Sequence, residues 1–394
     1  MNLFDDLPRT DRKPSGHSES YWHFYNRVGG TYWDQVRSLF EEWFGHLQDE
    51  NVRKGIRGRM RSGDNVNFRS ALAELYVHET LIRSGFTVTY EPNIPLSTRR
   101  PDFLADRGEE SFFLEVTSRN VMEDDQGAKR EAALHDALNS LRLENFFLEF
   151  DVDIRGPNAV SARYFKKEIL KWLGTLDPDE VADTFAQGRH DLIPKIELEK
   201  DGWEVSFHAL PVKKEARGFD PNRRPIGISG GGARWVNDRQ IIRAALSDKT
   251  HAYGSMDRPF VVALALDSFD RDEETEAALY GSQTVEFNEM PGGTWAQRPG
   301  RTRDGYWAQP DTAGRSQVSG LLVIPGFAPW GIANTSPTLW VHPGADRPSP
   351  ILPAWGVMRA VGGKLDFQEP EITPWDLFGL SSEWPVGRPF REEA

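Results

Sequence analysis

The sequence predicts an α/β fold, and three observations within one stretch of the chain support this. Apolar residues recur at helical spacing from Phe68 to Leu81. Three short segments of β type follow between residues 86 and 118, separated by turn residues. A second helical pattern at 128–143 and an apolar strand at 146–154 then complete an α-β-β-β-α-β order over about 90 residues.

Each element of this core has a local reason. The first helix is predicted to end at Gly85, a residue typical of the position after a helix C-terminus. Residues 86–92 alternate as a strand does, 93–100 are turn-like, and 101–106 form the second strand. A tight connection at 108–110 leads into the third strand, 111–118, which is rich in aromatic and β-branched residues. The second and third strands are therefore expected to pair antiparallel.

The regions on either side of this core are predicted in less detail. We expect residues 1–62 to form an N-terminal arm and a helical region, with 1–20 loose and an amphipathic helix near 34–47. The core spans 63–158, and a large mixed α+β region occupies 159–394. Within that region a hairpin turns at Asp201-Gly202. A helix–strand unit at 238–267 is a candidate to join the core sheet, and 288–316 reads as an exposed loop.

Composition excludes several classes of protein. The 394 residues include no cysteine, which excludes disulfides, thiolate metal sites and cysteine nucleophiles. The N-terminus has no apolar signal region and no run of 18 apolar residues occurs, so we expect a cytoplasmic protein with no membrane partner. The formal net charge of −13 argues against histone-like binding of nucleic acid, although local basic patches could still contact phosphates.

Two acidic residues on neighbouring strands point to metal chemistry. Asp102 begins the second strand and Glu115 lies near the end of the third. In an antiparallel pair the start of one strand lies beside the end of the other, so these carboxylates are expected to meet. Close carboxylates repel unless a cation lies between them, and Mg²⁺ accepts one or two carboxylates together with phosphate oxygens. Such a site suits the hydrolysis of phosphodiesters.

These residues match a family pattern. Pro101-Asp102, a gap of 12 residues and then Glu115-Val116-Thr117 on an apolar strand resemble the PD-(D/E)XK, restriction-endonuclease-like nuclease superfamily. The resemblance covers 67–155 and includes the opening helix. It implies a restriction-endonuclease-like α-β-β-β-α-β core, with Asp102 and Glu115 as ligands of Mg²⁺ (or Mn²⁺) and Glu74 as an accessory acid. Glu79 is an alternative to Glu74 as the acid on this helix, because it lies on the helix stripe that faces the core more directly.

The chain departs from the family pattern at one catalytic position. The usual lysine is replaced by Thr117, whose hydroxyl can hold a water but brings no positive charge. Lys129, at the start of the following helix, is the first candidate to supply that charge, and Lys249 is a more distant one. The alternative is that the lysine is lost and the domain only binds.

Basic residues near the predicted site are candidates to contact substrate phosphates. Arg99 and Arg100 precede Pro101 directly, and Arg57 and Arg59 belong to a run of cations at 53–61 that contains no acid. Arg99 and Arg100 could equally be surface turn residues, and the run at 53–61 could be a solvated helix face.

The resemblance therefore predicts a metal-dependent endonuclease that hydrolyses phosphodiester bonds of nucleic acid, with DNA favoured over RNA. By analogy alone, prokaryotic antiviral defence or DNA processing would fit such an enzyme. The alternative is a catalytically inactive module of the same fold that binds nucleic acid or a partner protein. A homo-oligomer or a partner subunit is also compatible with the long C-terminal region.

Overall fold

The computed structural model describes residues 1–94, 98–119, 126–218, 220, 223–226, 238–250, 252–266, 272–290, 294–308 and 313–390; side chains at 286–299 are not described. The chain divides into two compact units. The first comprises Met1–Pro14, Ser20–Val121 and Asn237–Ala394, and the second comprises Ser15–Glu19 and Met122–Val236. Most of the second unit is thus an insertion within the sequence of the first.

Helices occur in both units. Within the described ranges they are α1 Tyr21–Arg27, α2 Thr31–His46, α3 Glu50–Met60, α4 Asn65–Arg83, α5 Gln126–Asn139, α6 Ala162–Leu173, α7 Pro178–Ala186, α8 Asp238–Thr250, α9 Asp272–Tyr280 and α10 Pro374–Phe378. Not one of these helices combines the length and the apolar character needed to cross a bilayer.

Strands also occur in both units. They are β1 Thr87–Tyr90, β2 Phe103–Arg107, β3 Glu110–Arg119, β4 Phe146–Ile154, β5 Lys195–Lys200, β6 Trp203–Pro211, β7 Phe260–Leu266, β8 Gln283–Met290, β9 Thr294–Arg301, β10 Val318–Ile324, β11 Thr338–Val341, β12 Gly356–Val361 and β13 Lys364–Gln368. The chain is therefore a mixed α/β protein, as the sequence predicts.

The first unit is built on one mixed sheet. Its described strands lie in the order β1-β2-β3-β7-β10-β11-β12-β13. The β1-β2-β3 segment is antiparallel, with Phe103 of β2 opposite Leu114 of β3. Next to it, β3, β7 and β10 are parallel, with Glu115 of β3 opposite Val262 of β7. The second and third strands of the predicted core therefore pair as expected.

Helices cover both faces of this sheet. Alternate residues of a strand point to opposite faces, so Leu114 and Val116 of β3 pack into a core cluster shared with α1–α4 and α10. Phe113 packs on the other face, in a cluster shared with α8 and α9. Glu115 and Thr117 have the same parity as Phe113. They therefore point to the face that α8 covers.

Helix α4 confirms the predicted opening helix. The Asp64 side chain caps its start by accepting hydrogen bonds from the backbone N–H groups of Val66 and Asn67. Ser84 caps its end, and Gly85 follows with φ +84°, a conformation that strongly favours glycine. Most of the helix between residues 71 and 81 is buried, because α4 lies between the other N-terminal helices and the sheet.

The N-terminal arm differs from its prediction. Leu3 and Phe4 are buried in the core of the first unit, and their backbone N–H groups donate to the Glu41 carboxylate at 3.0 and 2.7 Å. Arg57 of α3 donates to the carbonyl oxygen of Asn2, and Arg61, which follows the end of α3, donates to that of Leu3. The arm is thus fixed by contacts with distant residues, which the polar composition of residues 1–20 does not reveal.

The second helix and the last strand of the predicted core do not have their expected places in the structure. Strand β4 belongs to the three-stranded sheet β4-β6-β5 of the second unit, and β7 pairs with β3 instead. The order α-β-β-β-α-β is still present in the first unit, as α4, β1, β2, β3, α8 and β7. The predicted boundary at residue 158 therefore does not match the two units, because an insertion separates β3 from α8 in the sequence. The expectation that 238–267 joins the core sheet is confirmed.

The second unit has its own core. Helices α5, α6 and α7 pack against its antiparallel sheet. The buried aromatic residues of this core include Phe150, Phe165, Trp203 and Phe207. The predicted hairpin at Asp201-Gly202 is confirmed, and both residues have positive φ, at 55° and 80°.

The stretch at 288–316, in contrast, is not the simple loop that its glycines and prolines predict. Its first part belongs to an antiparallel hairpin of β8 with β9.

A candidate carboxylate–lysine site

Asp102 and Glu115 lie side by side in the first unit. Phe103 pairs with Leu114, so Asp102 stands one position further along, next to Glu115. The backbone N–H of Asp102 donates to Oε2 of Glu115 at 3.2 Å, and the backbone N–H of Val116 donates to Oδ2 of Asp102 at 2.6 Å. The register of the β2–β3 pair thus brings together the two carboxylates that the sequence predicts to meet.

A lysine from a distant part of the sequence completes the surroundings of Glu115. Nζ of Lys249 donates to Oε1 of Glu115 at 2.6 Å. Lys249 follows Ile242 and Ala245 by seven and four residues on α8, so it continues the helix face that packs on the sheet. The Glu115 side chain is only 6% exposed and that of Lys249 is 25% exposed, so this ion pair is largely shielded from water.

Tyr253, which follows the end of α8, is a further partner of Glu115. Its side chain is buried and hydrogen-bonds Glu115; burial and this carboxylate both raise the pKa of the Tyr253 hydroxyl, which therefore stays protonated. Glu115 thus has an ammonium, a hydroxyl and a backbone N–H as partners. A buried carboxylate requires such compensation.

Glu74 and Arg59 form a second ion pair next to Asp102. Both terminal nitrogens of Arg59 on α3 donate to the Glu74 carboxylate on α4, with Nη2 2.5 Å from Oε2. Glu74 is 8% exposed, and its charge acts on Asp102. The predicted accessory acid therefore belongs to the same electrostatic group as Asp102 and Glu115.

This group makes Asp102 an unusual carboxyl. Burial, reinforced by the negative charges of Glu115 and Glu74, raises the pKa of Asp102 to about 8; the Val116 N–H and the Lys249 ammonium oppose the shift. At neutral pH, Asp102 therefore holds a proton unless another cation approaches. With Asp102 protonated, Arg59 and Lys249 match the charges of Glu74 and Glu115, and loss of the Asp102 proton would leave one further negative charge without a cation.

Asp102 also lines an open cleft of about 620 Å³. Helix α3 contributes one side of it, including Arg59, and the end of β1 and the entry to β2 contribute the other, including Tyr90 and Arg100. Glu74 lies at this cleft as well. A ligand in the cleft would therefore touch the face of the site that carries Asp102.

The predicted phosphate contacts are placed unequally. Arg59 and Arg100 line the cleft, and Arg99 is exposed beside Arg100. Arg57 lies on another face of α3, where Nε donates to the Asn2 carbonyl oxygen at 2.7 Å. Arg57 thus holds the N-terminal segment in place. It does not face the cleft with Arg59, because side chains two positions apart on a helix point in different directions.

The remaining candidate residues predicted from the sequence are Thr117, Lys129 and Glu79. Thr117 is buried two positions after Glu115 on the same side of β3. Lys129 lies on α5 in the second unit, and within the first unit the lysine beside Glu115 is Lys249. Glu79 is fully buried and is held by His46 and Arg83, so its role is structural.

Two residues beside Glu115 are not among the main predictions from the sequence: Lys249 is only a distant candidate there, and Tyr253 is not predicted at all. The prediction that 238–267 joins the core sheet already places Lys249 on a helix that packs near β3, and this favours it over Lys129. Tyr253 has no comparable indication in the sequence, because it follows a helix without any motif.

The described residues contain no group of three or more histidine, aspartate or glutamate side chains placed to hold a metal ion. Asp102 and Glu115 nevertheless fit Mg²⁺, which binds proteins through one or two carboxylates and fills its other positions with water and substrate oxygens. Burial first, and then the charges of Glu115 and Glu74, raise the pKa of Asp102, and a cation bound between the two carboxylates would offset these effects.

Comparisons of this chain with protein-family models, curated proteins and solved structures give no match. What the site does must therefore be inferred from its own residues.

Proposed function

We propose that this protein is a metal-dependent nuclease with a restriction-endonuclease-like core, and that Asp102 and Glu115 bind Mg²⁺ or Mn²⁺. The observation that carries the proposal is the 2.6 Å contact of Lys249 Nζ with Glu115. This contact places a cation beside the carboxylates. The family pattern has a lysine at the position that Thr117 occupies in this sequence, so Lys249 would supply the missing charge. Carboxylate, carboxylate and lysine are the groups that this resemblance requires.

The topology of the first unit supports the same proposal. Helix α4, the antiparallel strands β1, β2 and β3, helix α8 and the parallel strand β7 follow in the order that the resemblance implies. The second unit interrupts this order in the sequence without removing an element. Lys249 then comes from the core helix that follows β3.

The residues of the site have distinct parts in the proposed hydrolysis. A bound ion would polarise the phosphoryl group and lower the pKa of a water. Asp102 and Glu115 would hold the ion, and Asp102 would release its proton to do so. The Lys249 ammonium can then stabilise the negative charge that develops on phosphate oxygens, and Thr117 can orient a water by a hydrogen bond. Glu74 fixes Arg59 at the cleft, where its guanidinium can contact a phosphate.

A cleavage assay tests the proposal. Single- and double-stranded DNA and RNA are incubated with the protein in Mg²⁺, Mn²⁺ or EDTA. We expect cleavage that requires the metal and falls at least about a hundredfold in Asp102→Asn, because a metal ligand is lost. Asp106→Asn is the matched control: it lies four residues on in β2 and hydrogen-bonds Ser111. Equal rates for Asp102→Asn, Asp106→Asn and the unmodified protein would contradict the proposal.

One observation favours a second candidate, a catalytically inactive module that binds nucleic acid or a partner protein. Glu115 already has Lys249, Tyr253 and a backbone N–H as partners, so the site is partly neutralised without a metal. Under this alternative, nucleic acid would bind equally well with and without metal, and none of the four substrates would be cut.

A further inference from the structure

One side of the cleft beside Asp102 is a helix face that contains a glycine without a packing reason. Asn51, Gly55 and Arg59 follow at four-residue spacing on α3, and all three line the cleft. Gly55 is exposed, and a Cβ added there would meet no atom within 4 Å. Glycine is among the least favourable residues within a helix, and here no neighbouring protein atom requires it. The cleft is therefore open above Gly55.

The other side of the cleft offers a hydrogen-bond donor without a partner. The Tyr90 hydroxyl is buried, and none of the described residues hydrogen-bonds it. Burial and the nearby Glu74 and Asp102 charges raise the pKa of this hydroxyl, so it remains a donor. A buried polar group of this kind normally has a partner, and a turn of the Tyr90 side chain toward the cleft would let an acceptor oxygen or nitrogen of a ligand supply one.

The lining suits a nucleotide. Arg59 and Arg100 offer guanidinium groups to a phosphate, while Val52 and the Tyr90 ring offer apolar surface to a base. Four acidic side chains line the same cleft, so a phosphate there also needs the cation proposed at Asp102: Asp49, Glu74, Glu91 and Asp102. A cleft of about 620 Å³ lies within the range that holds a drug-sized ligand, roughly one or two nucleotides. A base inside a duplex is paired and stacked and enters such a space only when it is flipped out, whereas an unpaired base can enter it directly.

From these observations we infer that the α3 cleft binds an unpaired nucleotide next to the phosphate held at Asp102. The substrate is then single-stranded or frayed nucleic acid rather than intact duplex. This inference rests on the proposed nuclease function, and it goes further because it assigns the substrate class and the helix face that selects it. Gly55 is the point of closest approach between the strand and α3.

Two pairs of variants test the inference. Gly55→Ala and Gly55→Leu place a side chain in the cleft, whereas Gly58→Ala and Gly58→Leu are matched controls. Gly58 lies on the same helix, is exposed, and would also have no atom within 4 Å of an added Cβ. All four changes replace a helical glycine with a better helix former, so all four should keep or raise the melting temperature.

Binding is measured by fluorescence anisotropy with a labelled single-stranded 12-mer and its duplex in Ca²⁺, and cleavage of both is measured in Mg²⁺. We expect the unmodified protein to prefer the single strand. Gly55→Leu should weaken its binding about tenfold, as filling a close contact does, while Gly58→Leu stays within about twofold.

The outcomes separate the two claims. Cleavage of duplex and single strand at equal rates, with Gly55→Leu unchanged, would overturn the inference and leave the nuclease proposal standing. Loss of single-strand binding in Gly55→Leu without cleavage of any substrate by the unmodified protein would overturn the nuclease proposal and support the cleft as a nucleotide site.

Discussion

Lys249 Nζ lies 2.6 Å from Oε1 of Glu115, although the two residues are 134 positions apart in the sequence. Glu115 is almost completely buried and Lys249 is mostly so. Two charges taken out of water depend on each other, because each compensates the desolvation of the other. This pair therefore links strand β3 to helix α8 both structurally and in the proposed chemistry.

Removal of Lys249 alone should destabilise the first unit. Lys249→Met leaves the Glu115 charge buried without its main partner, and we expect the free energy of unfolding to fall by about 3 kcal/mol. Glu115→Gln in the same chain should restore much of that loss, because no unpaired charge remains. Urea unfolding of the two single variants and the double variant measures the coupling. Additive effects of the two changes would contradict the assigned pairing.

The stability of the metal-free protein should fall as the pH rises. The pKa of Asp102 is raised to about 8 in the folded state, well above its ordinary value of 3.8. Between these values the folded state binds the proton that the unfolded state has lost, so the free energy of unfolding decreases with increasing pH. The Asp102 contribution is complete below pH 4 and is lost by about pH 8.

Urea unfolding of the protein and of Asp102→Asn between pH 5 and 9 isolates this contribution. We expect the Asn variant to gain stability relative to the unmodified protein as the pH rises. A constant difference between the two across this range would show that the Asp102 pKa is ordinary.

Metal binding should release a proton. At pH 7 the carboxyl of Asp102 is largely protonated, and a ligand must be deprotonated to bind the ion. Isothermal titration with Mg²⁺ or Mn²⁺ in two buffers of different ionisation enthalpy should therefore give roughly one proton released per ion at pH 7 and almost none at pH 9.5. Binding without proton release at pH 7 would place the ion away from Asp102.

Two glutamates of α4 should behave differently when each is changed to glutamine. Glu79 is enclosed by His46 and Arg83, so Glu79→Gln should lower the free energy of unfolding by about 1–3 kcal/mol and leave cleavage by the folded protein intact. Glu74→Gln releases Arg59 and removes a negative charge near Asp102, so it should lower cleavage and the Asp102 pKa. Denaturation and single-turnover cleavage of both variants check this, and equal losses of activity would contradict it.

Local patterns predict the β2–β3 hairpin and much of the site. The apolar strands and the tight connection at 108–110 fix the register that brings Asp102 next to Glu115. The turn predicted at 93–100 lies partly outside the described residues. Helix α4 is equally readable, because Asp64 and Gly85 mark its ends. The hairpin and the helix ends depend on residues that are close together in the sequence, so local sequence patterns are sufficient to predict them.

Non-local contacts explain where prediction from the sequence ends. Strand β4 follows β3 and α5 directly in the sequence, yet β7 is the strand that pairs with β3. Because of the same insertion, Lys129 is closer than Lys249 to Glu115 in the sequence, whereas Lys249 is the lysine that contacts Glu115 within the first unit. The N-terminal arm is a further case, because its polar sequence does not reveal that Leu3 and Phe4 are buried and contact residues 37–58 positions away.

Single-turnover cleavage by Lys249→Met shows whether the lysine beside Glu115 takes part in catalysis. Lys171→Met is its control, because Lys171 is an exposed lysine in the last turn of α6. With the folded fraction of each variant known, we expect Lys249→Met to cleave about a hundredfold or more slowly than the unmodified protein, a loss typical of a group that stabilises developing charge. Lys171→Met should retain the full rate. Equal rates for Lys249→Met and Lys171→Met would contradict a catalytic site built on Asp102, Glu115 and Lys249.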